Sequence, residues 1–257
     1  MKDYFDLKGQ VAIVTGCSTG LGVQMARALA NQGANIVAVA RRQNLIDEVA
    51  SQIANEYNVE TLAIRCDITD TDAVNSMVDQ VMKRFGRVDI LINNAGTGAV
   101  APAEDITDDQ FNNEMNIDLF GSFRVARAVA KKAMISAKYG RIVNIASMYG
   151  LVGNKIAGSA PYHAAKGGVV NMTRALAAEW GKYNITVNAI CPGYFYTDLT
   201  RDTLNSDFFQ QNAKTMIPEE RYGEEGELDT AAIFLASPAS SYVTGVNLAV
   251  DGGYTAM

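Results

Sequence analysis

Val11-Ala12-Ile13-Val14-Thr15-Gly16-Cys17-Ser18-Thr19-Gly20-Leu21-Gly22 passes from a β-branched apolar run directly into a glycine-rich loop. A short apolar run that stops at glycine is the pattern of a strand buried on both faces of a parallel sheet. From about Gly20 a helix is expected. Glycines at such a junction let the strand turn sharply and let an anion approach the backbone, and the helix N-terminus then faces that anion. The glycines here are spaced by three residues and then one, whereas the widely used dinucleotide fingerprint runs one and then two. Their place behind the first strand makes the loop a phosphate cradle.

Outward from this loop, strand and helix alternate. Asn35 to Ala40 reads as the second strand. It ends where a ribose-binding carboxylate would announce NAD, but Ala40 stands there and Arg41-Arg42 follow, which suits a 2′-phosphate and so NADP(H) over NAD(H). A helix over Leu45 to Tyr57 leads to a strand at Thr61 to Cys66, which ends at Asp67-Ile68. Val74 to Phe85 reads as helix and Val88 to Asn93 as a fourth strand running into Asn93-Asn94-Ala95-Gly96. Small and amide residues at a strand's carboxyl end suit a ligand crevice. Apolar spacing predicts one long helix from Asp108 to Lys138, with Asn116 near its middle.

Arg141 to Ala146 is a fifth strand that ends at Ser147, and Thr186 to Cys191 a sixth that breaks at Pro192-Gly193. Between them Ser159-Ala160-Pro161-Tyr162-His163-Ala164-Ala165-Lys166 opens a helix. Tyr162 and Lys166 are four residues apart and share a helix face. An ammonium favours phenolate, so the Tyr162 pKa is expected to fall from about 10 toward the working range of a general acid or base. His163, the only histidine, points about 100° away around the helix and reads as structural. The pattern loosens over Tyr194 to Tyr222, the expected substrate lid, then recovers with a helix at Glu224 to Ala236 and a last strand at Val246 to Val250.

The 257 residues show no repeat, low-complexity tract or linker, so residues 1–257 are expected to form one domain. A formal net charge of -6 argues against a nucleic-acid partner. No apolar run reaches the length of a membrane span, and the polar start reads as no signal peptide, which places the protein in the cytoplasm with no membrane partner. Cys17, Cys66 and Cys191 are scattered, odd in number and without metal-ligand spacing, and read as reduced thiols with no metal site.

Taken together, the Thr-Gly-x3-Gly-x-Gly loop at Thr15 to Gly22, Asn93-Asn94-Ala95-Gly96, Asn116, Ser147, Tyr162-x3-Lys166, and Pro192-Gly193 followed by Thr197 resemble the short-chain dehydrogenase/reductase family over essentially the full length. The resemblance implies a single-domain α/β fold, a doubly wound, Rossmann-like, mostly parallel sheet with helices on both faces. It also implies hydride transfer between a nicotinamide and a carbonyl or secondary alcohol. Carried over to this sequence, Ser147 would orient the substrate oxygen, Tyr162 would carry the proton, Lys166 would tune the tyrosine and hold the nicotinamide ribose, and Asn116 would fix a water in the proton relay. Gly16, Ser18, Gly20, Leu21 and Gly22 would line the phosphates, Asp67 and Ile68 the adenine, and Asn94, Ala95 and Gly96 the adenosine ribose and central cofactor. Pro192, Gly193 and Thr197 would contact the nicotinamide end, and the two long helices would pack a homotetramer.

Within the family, Ser147 to Gly150, Pro192 to Phe195 and the tail from Ala231 to Gly253 are most similar to gluconate 5-dehydrogenases and related sugar-acid reductases. A sugar keto-acid needs a cation near the site. Thr97 to Pro102 offers none, which leaves Arg201, Lys214 and Arg221 of the lid. The small apolar rim with Met148, Tyr149, Tyr194, Phe195 and Tyr196 equally suits a hydroxysteroid such as a bile acid, or another bulky hydrophobic ketone. A non-catalytic NADP(H)-binding regulatory protein would require a broken catalytic set, and here the set is intact.

Overall fold

Seven strands form one sheet in the order β3-β2-β1-β4-β5-β6-β7. The computed structural model describes residues 3–98, 100–155, 158–197 and 200–257, without the side chains of Phe208, Ala213 and Lys214. The strands are β1 Val11–Thr15, β2 Asn35–Ala40, β3 Thr61–Arg65, β4 Ile90–Asn93, β5 Gly140–Ile145, β6 Ile185–Pro192 and β7 Asn247–Val250. Every neighbouring pair is parallel, the last one included, so the sheet expected to be mostly parallel is parallel throughout. The chain winds outward from β1 to β3 on one side and from β4 to β7 on the other. Ligands of such sheets bind at the carboxyl ends of the strands where the order reverses, here between β1 and β4.

Both faces of the sheet are covered, which is why its strands read as unbroken apolar runs. Ala12 and Val14 of β1 pack on one side with Met25 of α1 (Gly20–Asn31), Ile53 of α2 (Gln43–Tyr57) and Leu235 of the helix Asp229–Ala236. Val11 and Ile13 pack on the other with Met77 of α3 (Thr71–Phe85), Val125 and Leu176. The alternation along one strand follows from the two-residue period of the pleat. Helix α3 starts three residues earlier than its apolar spacing suggests, because the Asp70 side chain accepts the N–H groups of Asp72 and Ala73.

The long helix predicted over 108–138, here α4, is continuous over 108–137 but not uniform. It comprises the α-helix Asp108–Glu114, a π-helix Met115–Gly121, the α-helix Ser122–Val129, a second π-helix Ala130–Met134 and a last α-turn Ile135–Ala137. Apolar spacing does not distinguish an α-turn from a π-turn that interrupts it, and such interruptions collect at functional sites. Helix α5, Ala160–Trp180, carries Pro161 within its first turn, where a missing N–H costs nothing. The stretch expected to be a loose lid holds two helices, α6 Arg201–Leu204 and α7 Asp207–Met216, while the helix expected from Glu224 starts at Asp229 as α8.

A buried polar chain ties the sheet to α4 and α5. Asn93 Nδ2 donates to the Ser122 carbonyl at 2.7 Å and to Asn144 Oδ1 at 3.3 Å, and Asn144 Nδ2 donates to Thr173 Oγ1 at 2.9 Å. Thr173→Val keeps the volume but leaves the Asn144 amide without its acceptor. It is expected to cost about 1–3 kcal/mol of stability, read from the midpoint of urea unfolding.

Candidate active site

Helix α1 begins at Gly20 without a side-chain cap, so its first N–H groups face the crevice above β1. The loop before it is packed against the end of β4 as tightly as glycine permits. Gly16 has φ +67°, and a Cβ on it would lie 2.7 Å from Asn94 Nδ2. A Cβ on Gly22 would lie 2.4 Å from the Gly16 carbonyl oxygen. Thr15 Oγ1 accepts the N–H groups of Asn94 and Ala95, each at 3.0 Å, and Asn94 Nδ2 returns to the carbonyls of Thr15 and Gly16 at 3.1 and 3.3 Å. The Asn94 amide therefore holds the glycine loop in shape as well as lining the cleft.

The cleft has a volume of about 880 Å³ and is lined from end to end by residues that the sequence singles out. Arg41, Asp67 and Ile68 line it beyond β2 and β3, Gly16, Ser18, Gly20, Leu21, Asn94, Ala95 and Gly96 beyond β1 and β4, and Ser147, Tyr162, Lys166, Pro192, Gly193 and Thr197 toward β5 and β6. Gly22 lies beneath the lining and serves the close approach of helix to loop. Arg42 also lines the cleft and donates to Ser18 Oγ at 2.8 Å, a contact that sequence spacing does not reveal. The Asp67 carboxyl is held below its ordinary value, chiefly by the Thr69 N–H and hydroxyl, with a contribution from Arg41. A narrow glycine cradle under a helix N-terminus, with two guanidinium groups at the adjacent rim, fits a nicotinamide dinucleotide.

At the other end Ser147 follows β5 and its Oγ accepts the Tyr149 N–H at 3.1 Å. The Lys166 ammonium is buried, donates to the Ile145 carbonyl at 3.2 Å and lies 5.5 Å from the centre of the Tyr162 ring. Its counter-charge is Asp118, whose Oδ2 stands 3.0 Å away. Burial pulls the Lys166 pKa down, but Asp118, Tyr162 and Glu114 together hold it above its ordinary value, so the side chain stays an ammonium. For Tyr162 the outcome is opposite to the one expected from Lys166 alone. Burial raises the phenol pKa, Lys166 and Ser147 lower it, Asp118 and Glu114 raise it, and the net direction is upward. The spacing of two residues shows the ammonium but neither the desolvation nor the carboxylates behind it.

Asn116 is not brought to this site. It does not line the cleft, and its carbonyl accepts from Arg124 at 3.3 Å. Residues two apart on a helix point nearly opposite ways, whereas Glu114 and Asp118, four apart, share a face. It is Asp118, in the first π-turn, that reaches Lys166. The signal was present in the sequence as a second polar residue, but an aspartate inside a helix also reads as solvated surface.

Other side chains beside the cleft pack locally. His163 stacks on Tyr149 with ring centres 4.6 Å apart, and its Nδ1 lies 2.9 Å from the Ser159 carbonyl, in keeping with a structural role. Burial pushes the Cys17 thiol up to about 12, which disfavours the reactive thiolate. Tyr149, Tyr194 and Tyr254 form a cluster of edge-on rings in which the Tyr149 and Tyr194 hydroxyls meet at 2.5 Å. Of the three lid cations, Arg221 is engaged by Glu227 through two bonds of 2.7 Å and by Glu219 at 2.9 Å. Arg201 opens α6, and the Lys214 side chain lies outside the described residues.

A sheet with this switch point and a tyrosine beside a buried ammonium defines a nicotinamide-dependent oxidoreductase. Comparison with known proteins agrees: a family model described as enoyl-(acyl carrier protein) reductase matches residues 16–255. Gluconate 5-dehydrogenase of Gluconobacter oxydans is 38% identical over 253 residues, covering 98% of this chain and 97% of that protein. The 2-dehydro-3-deoxy-D-gluconate 5-dehydrogenase of Escherichia coli is 37% identical over 254 residues, 98% of each chain. A crystal structure of a gluconate 5-dehydrogenase from Burkholderia cenocepacia, in complex with NADP and tartrate, superposes with a TM-score of 0.95 at 37% identity, covering 99% of this chain and 98% of the other. The chain belongs to the short-chain dehydrogenase/reductase family. Among the described residues no helix is long and apolar enough to cross a membrane.

The cradle yields a direct test. Gly22→Ala forces the methyl group against the Gly16 carbonyl, and NADPH affinity read by fluorescence titration is expected to fall at least about tenfold, which corresponds to about 1.4 kcal/mol.

Proposed function

We propose that this protein interconverts a ketone and a secondary alcohol of a sugar acid with NADP(H), with Tyr162 as the proton carrier. The observation that carries the reading is the convergence of Ser147, Tyr162 and Lys166 at one end of a cleft whose other end is the glycine cradle. The bound nicotinamide supplies or accepts the hydride. In reduction the Tyr162 hydroxyl gives its proton to the oxygen that becomes the alcohol, and in oxidation the phenolate takes that proton back. Ser147 Oγ already accepts the Tyr149 N–H, which leaves its own O–H to donate to the substrate oxygen. The Lys166 ammonium stabilises the phenolate left after proton donation. Asn94 and Thr15 keep the glycine loop open to the phosphates.

Preference for NADP(H) is supported by the end of β2, where Ala40 stands in place of a carboxylate and Arg41 and Arg42 line the cleft beside Ser18. The sugar-acid class is supported by relatives named for gluconate and for a deoxygluconate derivative. A bulky uncharged ketone such as an oxo-steroid is the second reading, favoured by the edge-on cluster of Tyr149, Tyr194 and Tyr254. A homotetramer packed through α4 and α5 is the assembly this reading carries, with Phe111 and Phe120 of α4 among the exposed apolar side chains.

Three measurements follow. Tyr162→Phe is expected to bind NADPH nearly as well as the parent and to lose turnover by about 10²–10⁴-fold; retention of most of the rate refutes Tyr162 as the carrier. Arg41→Ala is expected to raise KM for NADPH by about 10–100-fold, with little change for NADH, from the 1.5–3 kcal/mol of a charge-assisted hydrogen bond. An equal effect on both cofactors makes the arginine mere surface. A screen of keto-acids such as 5-ketogluconate against oxo-steroids, followed by NADPH consumption, separates the two substrate readings. Binding of NADPH without turnover of any carbonyl would instead identify a regulatory protein.

A further inference from the structure

Behind the proton site stand two buried carboxylates that the steps above do not use. Glu114 and Asp118 lie one turn apart on α4, 1% and 0% exposed. Asp118 Oδ1 accepts the Thr97 N–H at 2.8 Å, and Oδ2 makes the 3.0 Å ion contact with Lys166. Gly96 closes the space around them: a Cβ there would lie 3.2 Å from Lys166 Nζ and from Asp118 Oδ1, and 3.3 Å from Oδ2. The carboxylate is thus clamped between the loop after β4 and helix α5. It touches the ammonium from the side away from solvent, while Lys166 also lines the cleft.

We propose that Asp118 is a positioning residue that acts through Lys166: it fixes the ammonium and offsets its charge, so that Tyr162 keeps its proton and stands ready as a donor at neutral pH. The inference rests on the reading of Tyr162 as proton carrier. A lone ammonium beside a phenol favours phenolate, whereas an ammonium in contact with a carboxylate is a nearly neutral pair with a much weaker field at the phenol. Among the described residues, the groups that act on Tyr162 come from three elements. Lys166 comes from the same helix as Tyr162, Ser147 from the end of β5, and Asp118 and Glu114 from α4. Cys191 faces them from β6, and burial pushes its thiol up to about 11, so it is uncharged in the working range. Both carboxylates act to raise the Tyr162 pKa, in the same direction as burial. Asparagine at 118 would keep an acceptor for Thr97 and remove the negative charge, so the sign of its effect is downward.

The test is a pH titration of cofactor-free protein labelled with ¹³Cζ-tyrosine, with Tyr162→Phe assigning the resonance. The Tyr162 midpoint in Asp118→Asn is expected about one pH unit below that of the parent. Asp118→Glu, which retains the charge, is expected to return it toward the parent. A midpoint in Asp118→Asn that is unchanged or higher overturns the proposal. The parent protein alone supplies a second readout, independent of whether the variants fold. Its midpoint is expected above the ordinary tyrosine value of about 10, and a midpoint below it means that the ammonium acts uncompensated, which overturns the proposal as well. Neither readout needs turnover. If no carbonyl is reduced, the proposed function fails while this titration still decides the role of Asp118. If the parent turns over and the midpoint does not move, only the role of Asp118 fails.

Discussion

The constraint on which the site depends is the burial of one cation. Lys166 is 4% exposed, and an ammonium so placed is stable only with partners that return what water gave it. Asp118 and the Ile145 carbonyl do so, and in doing so they fix three elements relative to one another: α4, α5 and the end of β5. The Thr97 N–H adds the loop after β4 to the same knot. The geometry around Tyr162 is therefore a consequence of satisfying Lys166. Without Asp118 the ammonium would rest on the neutral Ile145 carbonyl and on the cleft that it lines.

The opposite end of the cleft is built from backbone rather than charge. Gly16 and Gly22 allow loop, helix and β4 to approach within distances that no side chain permits, and Thr15 and Asn94 hold that approach through their hydrogen bonds. The two ends meet in the loop after β4, where Asn94 faces the glycines and Gly96 faces the Asp118–Lys166 pair. A run of four residues, Asn93 to Gly96, so couples the glycine loop to the Asp118–Lys166 pair. Its small side chains are a packing requirement at both ends.

What the sequence makes legible follows from what each signal measures. The strands are visible because a sheet buried on both faces leaves no polar alternation, and Tyr162 and Lys166 because four residues is a helical turn. Asn116 stands off the cleft, which Asn113 and Ile117 line, because helical phase is counted from the residue that faces the site and only the fold shows which residue that is. The first π-turn, Met115–Gly121, shifts that phase further, and apolar spacing does not report it. The lid conceals α6 and α7 for a different reason. Short helices packed on a few anchors, such as Leu204, Phe209 and Ile217, have too few turns to establish a period. The upward direction of the Tyr162 pKa is not legible in the sequence because burial, its largest cause, and the carboxylates behind Lys166 are set by the fold.

Two ion pairs in this molecule have the same chemistry and opposite uses. Lys166–Asp118 is enclosed, so separating the partners strands a charge and the pair behaves as a fixed part of the frame. Arg221–Glu227 is solvent-exposed, where water replaces either partner and the net strength of the contact is small. Engagement with Glu227 therefore does not remove Arg221 from reach of an anionic ligand. A substrate carboxylate arriving at the lid would exchange one exposed partner for another at little cost. No such exchange is open to Lys166, which is enclosed with Asp118. Burial thus decides which cation is frame and which is free to recognise a ligand.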